Sequence, residues 1–562
     1  MAAAALAWCA LSPLLFPSPA LAARSTVEEG GEQRLHAYAR ARLAEANGAL
    51  DAAALAYREA VTLDPDSPEL ARRGYRQAVL AGDRDLALRM ARSLDAAGQL
   101  SRDGSVLLLI DALDRRQWTE AASRIDRLET EGNLAFLAPF MRSWLSLAMD
   151  DYAPPVIPPE SSPAYFATHY SKEQSLLLAL ARGDRDGLAE AYAALGDDAE
   201  VLGPEERGII AVRLAKLGQR DLALDLLDGG TMAGESAKDG AESLRRLTKL
   251  YRKHKLTPQY GLAMLMNRLA GDLRGQDESV ATLSIARMAG FADPASDDVR
   301  VTVARAALAA DYPRFAYDEA GKVPSASPAW FDAQAVQVRA LIRQDNAAEA
   351  LGRATALVEQ DKGSARGWRM LGDIHMQQNS FAEAAQAYQQ ARTAMGDRED
   401  AALLLQLGGA LERAGHWDEA RPLLERVVEL APDSAVALNH LGYALADRGE
   451  DLPRALALLQ KANRIRPREP AYVDSLGWAY FRSGDFAKAL PLIQSAVEAE
   501  PDNSELNEHL GDVLWGMGRR FEARYAWRAA LVGLDEDEAQ AAENRQRLND
   551  KLDGKEQNPA RP

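Results

Sequence analysis

From about residue 331 to 534, small and apolar positions recur with a helical spacing nested inside a longer period. A glycine preceded by leucine stands at Gly372, Gly408, Gly442, Gly477 and Gly511, at intervals of 34 to 36 residues. An alanine keeps the same period at Ala350, Ala384, Ala420, Ala455, Ala489 and Ala523. Seven residues after it comes a second small or apolar position, at Ala391, Val427, Ala462, Ala496 and Ala530, and proline closes units at Pro432, Pro467 and Pro501. Two interleaved series with one period predict a helix, a turn and a second helix per unit. Six such units begin near Phe331, Ala365, Ala401, Ala435, Pro470 and Ser504.

The pattern has a mechanical reading. Glycine on the first helix lets the second approach closely, because no side chain holds them apart. The recurrent alanine is expected to fill that narrow gap. Tyr388, Leu424, Leu459, Ile493 and Trp527, four residues later, are expected to fill the wider space one turn on. Proline ends the second helix, and Asp433-Ser434 or Asp502-Asn503-Ser504 supplies oxygen atoms to cap the next. Phe381, Trp417 and Phe486 precede the key alanine by three and should wedge the hairpin turn. The fourth unit carries an extra turn residue, GEDLPRAL against SGDFAKAL in the fifth. Each hairpin leaves an apolar face that only its neighbour can cover, so the units should stack.

Toward the N-terminus the pattern decays. Residues 34–67 form one fair unit, with Ala53, Tyr57, Ala60 and Pro65. AGDRDLALRMARSL, RRQWTEAASRIDRL, RGDRDGLAEAYAAL and LGQRDLALDLLDG read as further turns and second helices. The organisation expected is a segment 1–22 removed on export, divergent helical repeats over 23–152, a proline-rich linker at 153–163, and divergent hairpins over 164–330. The periodic array of 331–534 follows, then a C-terminal helix and disordered tail over 535–562. GGTMAGESAKDG, Gly229 to Gly240, reads as a surface loop.

Composition fits an all-helical chain: 47% hydrophobic but only 6% aromatic over 562 residues. The formal charge of −17 and the lack of any Lys/Arg block argue against nucleic acid or an anionic membrane surface as partner. The first 25 residues, MAAAALAWCALSPLLFPSPALAARS, join an apolar run to Ala20-Leu21-Ala22, the small-x-small pattern of a signal-peptide cleavage site. No basic residue precedes the run, so either the amine serves alone or the start lies upstream. A buried helix is the other reading, which Pro13, Pro17 and Pro19 oppose. The single cysteine, Cys9, follows a bulky Trp8, a poor fit to lipid attachment. No later stretch has the length of a membrane span.

Catalytic and cofactor motifs are absent: no HExxH, GxSxG, phosphate loop, GxGxxG or EF-hand loop occurs. The seven histidines lack ligand spacing. The expectation is therefore no enzyme, no cofactor and no metal. An active site assembled from distant helices is the rival reading.

Trp368-Arg369-Met370-Leu371-Gly372, followed by His375, Ala384, Tyr388 and Ala391, resembles the tetratricopeptide repeat, with His where Tyr or Leu is usual. The resemblance implies an all-α, right-handed superhelical solenoid of antiparallel helix hairpins. It also implies that positions 7, 8 and 11 of each unit are core, while 2, 5, 9 and 12 face a concave groove. In the fifth unit Leu476, Gly477 and Tyr480 are then core, and Trp478 and Phe481 face the groove with Asp474 and Arg482. The fourth unit adds Asn439, His440 and Tyr443, and the sixth adds Glu508, His509, Asp512 and Trp515. Together they suggest an aromatic floor edged by carboxylates and histidines, suited to an extended peptide or loop. The rival reading packs these rings against the protein's own next element. The Lys/Asn clamp that some family members use for acidic C-termini is missing, since groove position 5 carries Arg369, Leu405, Asn439, Asp474 and Glu508.

Residues 435–531, with LNHLGYALADRG and YVDSLGWAYFRSGDFAKAL, are similar to a bacterial envelope family of long tetratricopeptide proteins. That family includes the lipoprotein partner of a periplasmic carboxy-terminal processing protease. The resemblance implies a periplasmic adaptor that brings protease and substrates together. The alternatives are a structural subunit of an envelope secretion or polysaccharide-export assembly, and an outer-membrane-associated or cytoplasmic location.

Overall fold

The computed structural model describes residues 19–130, 132, 134–157, 164–228, 237–273, 279–396, 398–535 and 541–555. Among them are twenty-nine α-helices, two short 3-10 helices and no strand. The chain divides into two compact units between Ala350 and Leu351.

In the second unit, successive helices pair as hairpins: Ala365–Gln377 with Phe381–Met395, Ala401–Arg413 with Trp417–Leu430, and Ala435–Arg448 with Leu452–Ile465. Pro470–Arg482 with Phe486–Ala499 and Ser504–Gly516 with Arg520–Val532 continue the row, and Ala541–Asp553 ends it. The helices start where the period places them, and Trp330–Arg343 begins one residue before the predicted Phe331. Each second helix also packs on the first helix of the next hairpin, which is the stacking of an all-α solenoid. Ser434 Oγ and Asn503 Oδ1 accept from the N–H groups of Ala437 and Leu506 at 3.4 and 3.2 Å, the caps expected of them.

The glycine notch is filled differently from the expectation. A Cβ on Gly408, Gly442, Gly477 or Gly511 would lie 2.7, 2.7, 2.6 or 2.3 Å from Leu424, Leu459, Ile493 or Trp527. The bulky residue, and not the alanine, therefore occupies the space that glycine vacates. The alanine is fully buried and brings its backbone close, as with the Ala489 carbonyl at 3.3 Å from the Gly477 position. A further series marks the hairpin turns. Asp345, Asn379, Gly415, Gly449, Gly484 and Gly518 all have φ between 56° and 84°. The extra residue of the fourth unit is absorbed by Asp451, at φ 40°, whose Oδ1 caps the next helix through the Arg454 N–H.

Phe381 and Trp417 do not merely wedge their own turns. The Arg413 guanidinium lies 4.1 Å over Phe381, and Arg448 lies 4.6 Å over Trp417, so an arginine ending the next unit's first helix pins each ring.

The first unit contains the helices predicted from its four divergent segments, Arg84–Ala96, Trp118–Thr130, Leu188–Leu195 and Arg220–Asp228. It departs from a one-dimensional stack. Pro68–Ala81 and Arg102–Asp114 both pack on Ser279–Ala292, and Arg287 Nε donates to the Leu80 carbonyl at 3.1 Å. Trp144, fully buried, donates to Gln174 Oε1 at 2.8 Å and lies 2.2 Å from where a Gly261 Cβ would stand. The loop expected over Gly229–Gly240 gives way to helix at Ala237, where Ala237–Tyr251 begins. Residues 229–236, residues 1–18 of the segment expected to be removed on export, 158–163 of the proline-rich stretch, and 556–562 lie outside the described residues.

Candidate functional site

The first helices of the second unit set the candidate groove. Its floor is open at one end and closed at the other. In the earlier units, the position-5 and position-12 side chains Arg369, Met376, Leu405 and Glu412 are half-buried, and Arg369 pairs with Asp400 at 3.2 Å. His440 Nε2 meets Glu412 Oε2 at 2.6 Å across one unit boundary. Asn439 is half-buried, with an Oδ1 that no donor reaches. The Tyr443 hydroxyl donates to Glu505 at 3.1 Å, and burial, with Glu505 adding to it, raises its pKa well above the ordinary phenol value.

Further along, the expectation fails for most of the aromatic floor. Trp478 is 6% exposed and Phe481 1% exposed. The Trp478 ring stacks on His509 at 4.1 Å between centroids and also contacts Phe481 at 4.9 Å. Phe481 meets Phe486 at 5.7 Å and shares a core with Ile493 and Val513. Adjacent first helices here come close enough for large rings to fill the space between units, so these residues hold units together. Tyr480, expected in the core, is half-buried instead; its hydroxyl accepts from Gln460 at 3.0 Å and Lys488 lies over its ring.

The polar rim is buried as well. Asp474, Glu508, His509 and Asp512 are all under 8% exposed. Asp474 Oδ2 holds His509 Nδ1 at 2.8 Å. Burial works against the imidazolium, but Asp474 outweighs it and raises the His509 pKa to about 9. Over Glu508 and Asp512 sits the final helix, Ala541–Asp553. Lys551 Nζ lies 2.6 Å from Glu508 and 2.8 Å from Asp512, and Arg547 grips Glu508 through two bonds of 2.8 and 2.7 Å. Against its burial, Arg547 and Lys551 hold the Glu508 carboxyl down at about 2. Burial pushes Asp512 up, an effect that Lys551 only partly offsets. Arg547 and Lys551 were absent from the sequence reading. Two acids four apart, followed by two bases four apart on a later helix, were the signal available.

Of the predicted set, Asn439, His440, Tyr443, Arg482 and Trp515 remain partly accessible. Trp515 contacts Trp527 at 5.2 Å and lies under Arg520, and Arg482 sits 4.0 Å from Asp447.

Residues 19–68, 336–400, 405–470 and 475–542 match the tetratricopeptide repeat family model. These stretches are tetratricopeptide repeats. Such repeats form a protein-binding scaffold, and the last three matched stretches contain every residue of the candidate groove except Asp474, which lies just before the last of them. The chain is also similar to a TPR repeat-containing protein of Pseudomonas aeruginosa, 37% identical over 114 residues. That match spans 20% of this chain and 19% of the relative, so most of the relative's length lies outside it. Among solved structures, the APC/C hetero-tetramer Cut9-Hcn1 is 14% identical over 92% of this chain and 96% of the other, with a TM-score of 0.42. YrrB, described as a TPR protein with an unusual peptide-binding site, is 23% identical over 31% of this chain and 88% of its own, with a TM-score of 0.27.

Proposed function

We propose that the protein is a non-enzymatic adaptor of the bacterial cell envelope that binds an extended peptide or loop on the open part of its repeat groove. The observation that carries this reading is the half-open floor formed by Arg369, Met376, Glu412, Asn439, His440 and Tyr443, all partly accessible where Trp478 and Phe481 are not. The N-terminal Ala20-Leu21-Ala22 pattern supports export to the periplasm. The likeness of residues 435–531 to the protease-adaptor envelope family supports a role in presenting substrates to a periplasmic protease. Among the described residues no helix is long and apolar enough to cross a membrane.

The floor moves toward the N-terminal side of the array relative to the sequence expectation, because Trp478 and Phe481 are structural. Photo-crosslinking amino acids placed at Asn439 and at the exposed Arg528 test the reading in cells. Adducts with envelope proteins from position 439 but not 528 are expected. Equal labelling at the two positions would remove the groove from consideration.

A further inference from the structure

A second candidate site lies within the first unit. A partly open cavity of about 100 Å³ is lined by residues of the helices Ala164–Arg182, Pro204–Lys216, Pro258–Asp272, Asp297–Ala309 and Trp330–Arg343. Glu173, Glu206, Asp298 and Asp332 line it; the first three are 6%, 5% and 5% exposed, and Asp332 is paired with Arg305. Apolar wall comes from Pro204, Met264 and Val301, and Val201, 57% exposed, stands at its rim.

Two of these helices are held by each other's acids. Asp298 Oδ2 accepts from the Glu206 N–H at 2.9 Å, at the start of Pro204–Lys216. In return Glu205 Oε2 accepts from Ser296 Oγ and from the N–H groups of Asp297 and Asp298, at 2.8, 2.6 and 3.1 Å. The two N-termini therefore cap one another. Gly203 makes room, since a Cβ there would sit 2.0 Å from Asp298 Oδ2.

Glu205 is thus committed through its Oε2 and Asp298 through its Oδ2. Glu206 is not: its Oε1 is buried and no donor among the described residues reaches it. The cations lining the cavity form no hydrogen bond to Glu206, although the charge of Arg268 partly offsets the burial of Glu173 and Glu206. Arg305 donates to Asp332 at 2.6 Å, while Arg268 meets His169 at 2.7 Å and lies 3.5 Å from Asp272 and 3.7 Å from Asp198. An ionised carboxylate so buried is costly unless a cation or a proton neutralises it. Burial shifts the balance toward the proton. Burial raises Asp298 to about 7, and burial together with Glu173 and Asp298 raises Glu206 well above the carboxylate range.

We propose that this cavity binds an alkylammonium or alkylguanidinium cation, its N–H donors on Glu206, Glu173 and Asp298 and its alkyl stem against Pro204, Met264 and Val301. A metal ion fits the donors less well, because no group of three or more His, Cys, Asp and Glu among the described residues is arranged to hold one. Apolar walls above an acidic floor match a stem with a charged head. The cation displaces protons from the acids, so affinity rises with pH through the neutral range.

The test is calorimetric titration of the full chain with n-butylammonium, ethylguanidinium and the peptide Gly-Lys-Gly, with n-butanol as the neutral control. At about pH 8, where the carboxyls are easiest to ionise, saturable binding of the cations is expected, weakened at least tenfold at about pH 6 and at least tenfold by Glu206→Gln. Binding of the peptide as well would assign the cation to a partner's lysine side chain. Binding of the free amines alone would assign it to a small molecule. The wild-type titration needs no variant to fold. No saturation by about 10 mM of either amine, some tenfold above a millimolar Kd, would overturn the proposal. So would equal affinity for butanol, or a folded Glu206→Gln chain that binds unchanged.

Discussion

Lys551→Met isolates the contact that closes the groove. Methionine keeps most of the volume of the lysine stem and removes the ammonium that lies between Glu508 and Asp512. Lys551 is 7% exposed, and the Asp512 side chain 3%. Glu508 keeps its two bonds from Arg547, so the stranded charge falls mainly on Asp512, whose remaining donor is Trp527 Nε1 at 2.9 Å. Removing one partner of a buried pair costs about 3–5 kcal/mol. The surviving Arg547 bonds place this case near 3 kcal/mol, at the lower end of that range. Asp512 can also escape by taking up a proton, which costs about 1.4 kcal/mol per pH unit. The deficit should therefore narrow as the pH is lowered. Hydrogen exchange across Ala541–Asp553 and Ser504–Gly516 reads the loss locally, which suits an array whose repeats unfold in part. Adding Asp512→Asn and Glu508→Gln should restore most of the protection. Protection of the last helix unchanged within about 1 kcal/mol would refute the claim that the ion cluster holds it.

Three further outcomes follow from the same geometry. His509 has its folded pKa raised above the unfolded value, so its stabilisation is full below pH 6.5 and is lost as pH rises through about 9. Exchange protection of Pro470–Arg482 and Ser504–Gly516 should fall by about 3 kcal/mol over that window, and by much less in His509→Gln. Gly511→Ala forces a Cβ to 2.3 Å from a Trp527 that is itself 1% exposed, and should cost about 1–3 kcal/mol in chemical denaturation. Gly352→Ala meets nothing within 4 Å inside the helix Ala347–Gln360 and should instead stabilise by about 0.5–1 kcal/mol. The same glycine-to-alanine change thus has opposite signs at the two sites. Trp478→Ala should lower stability by about 3–5 kcal/mol, and near-UV circular dichroism should report lost packing; a merely weakened partner affinity in an intact array would return Trp478 to the groove.

The hairpins were legible because their cause is local. A glycine, the bulky residue that fills its notch and the cap oxygen all lie within one period, so the helix starts at Ala365, Ala401, Ala435, Pro470 and Ser504 followed from spacing alone. The groove was less legible because exposure depends on what covers a face. Trp478 and Phe481 stand at positions that face outward in a generic repeat, yet large rings at those positions reach the next unit and bury themselves. Glu508 and Asp512 looked like a rim until Lys551, 39 to 43 residues away, was placed over them. In the first unit, the bond from Arg287 to Leu80 joins residues 207 apart in sequence, a separation at which no period operates. The Glu206 cavity left no motif, since its acids come from four separate helices.

The exchange of acids between the starts of Pro204–Lys216 and Asp297–Ala309 works as a clasp. Because each helix end depends on a side chain borrowed from the other, neither frays without exposing its counterpart, and segments some ninety residues apart must melt together. A pull applied to the intervening chain would meet a fastened loop, with the force first felt at two crossed carboxylates.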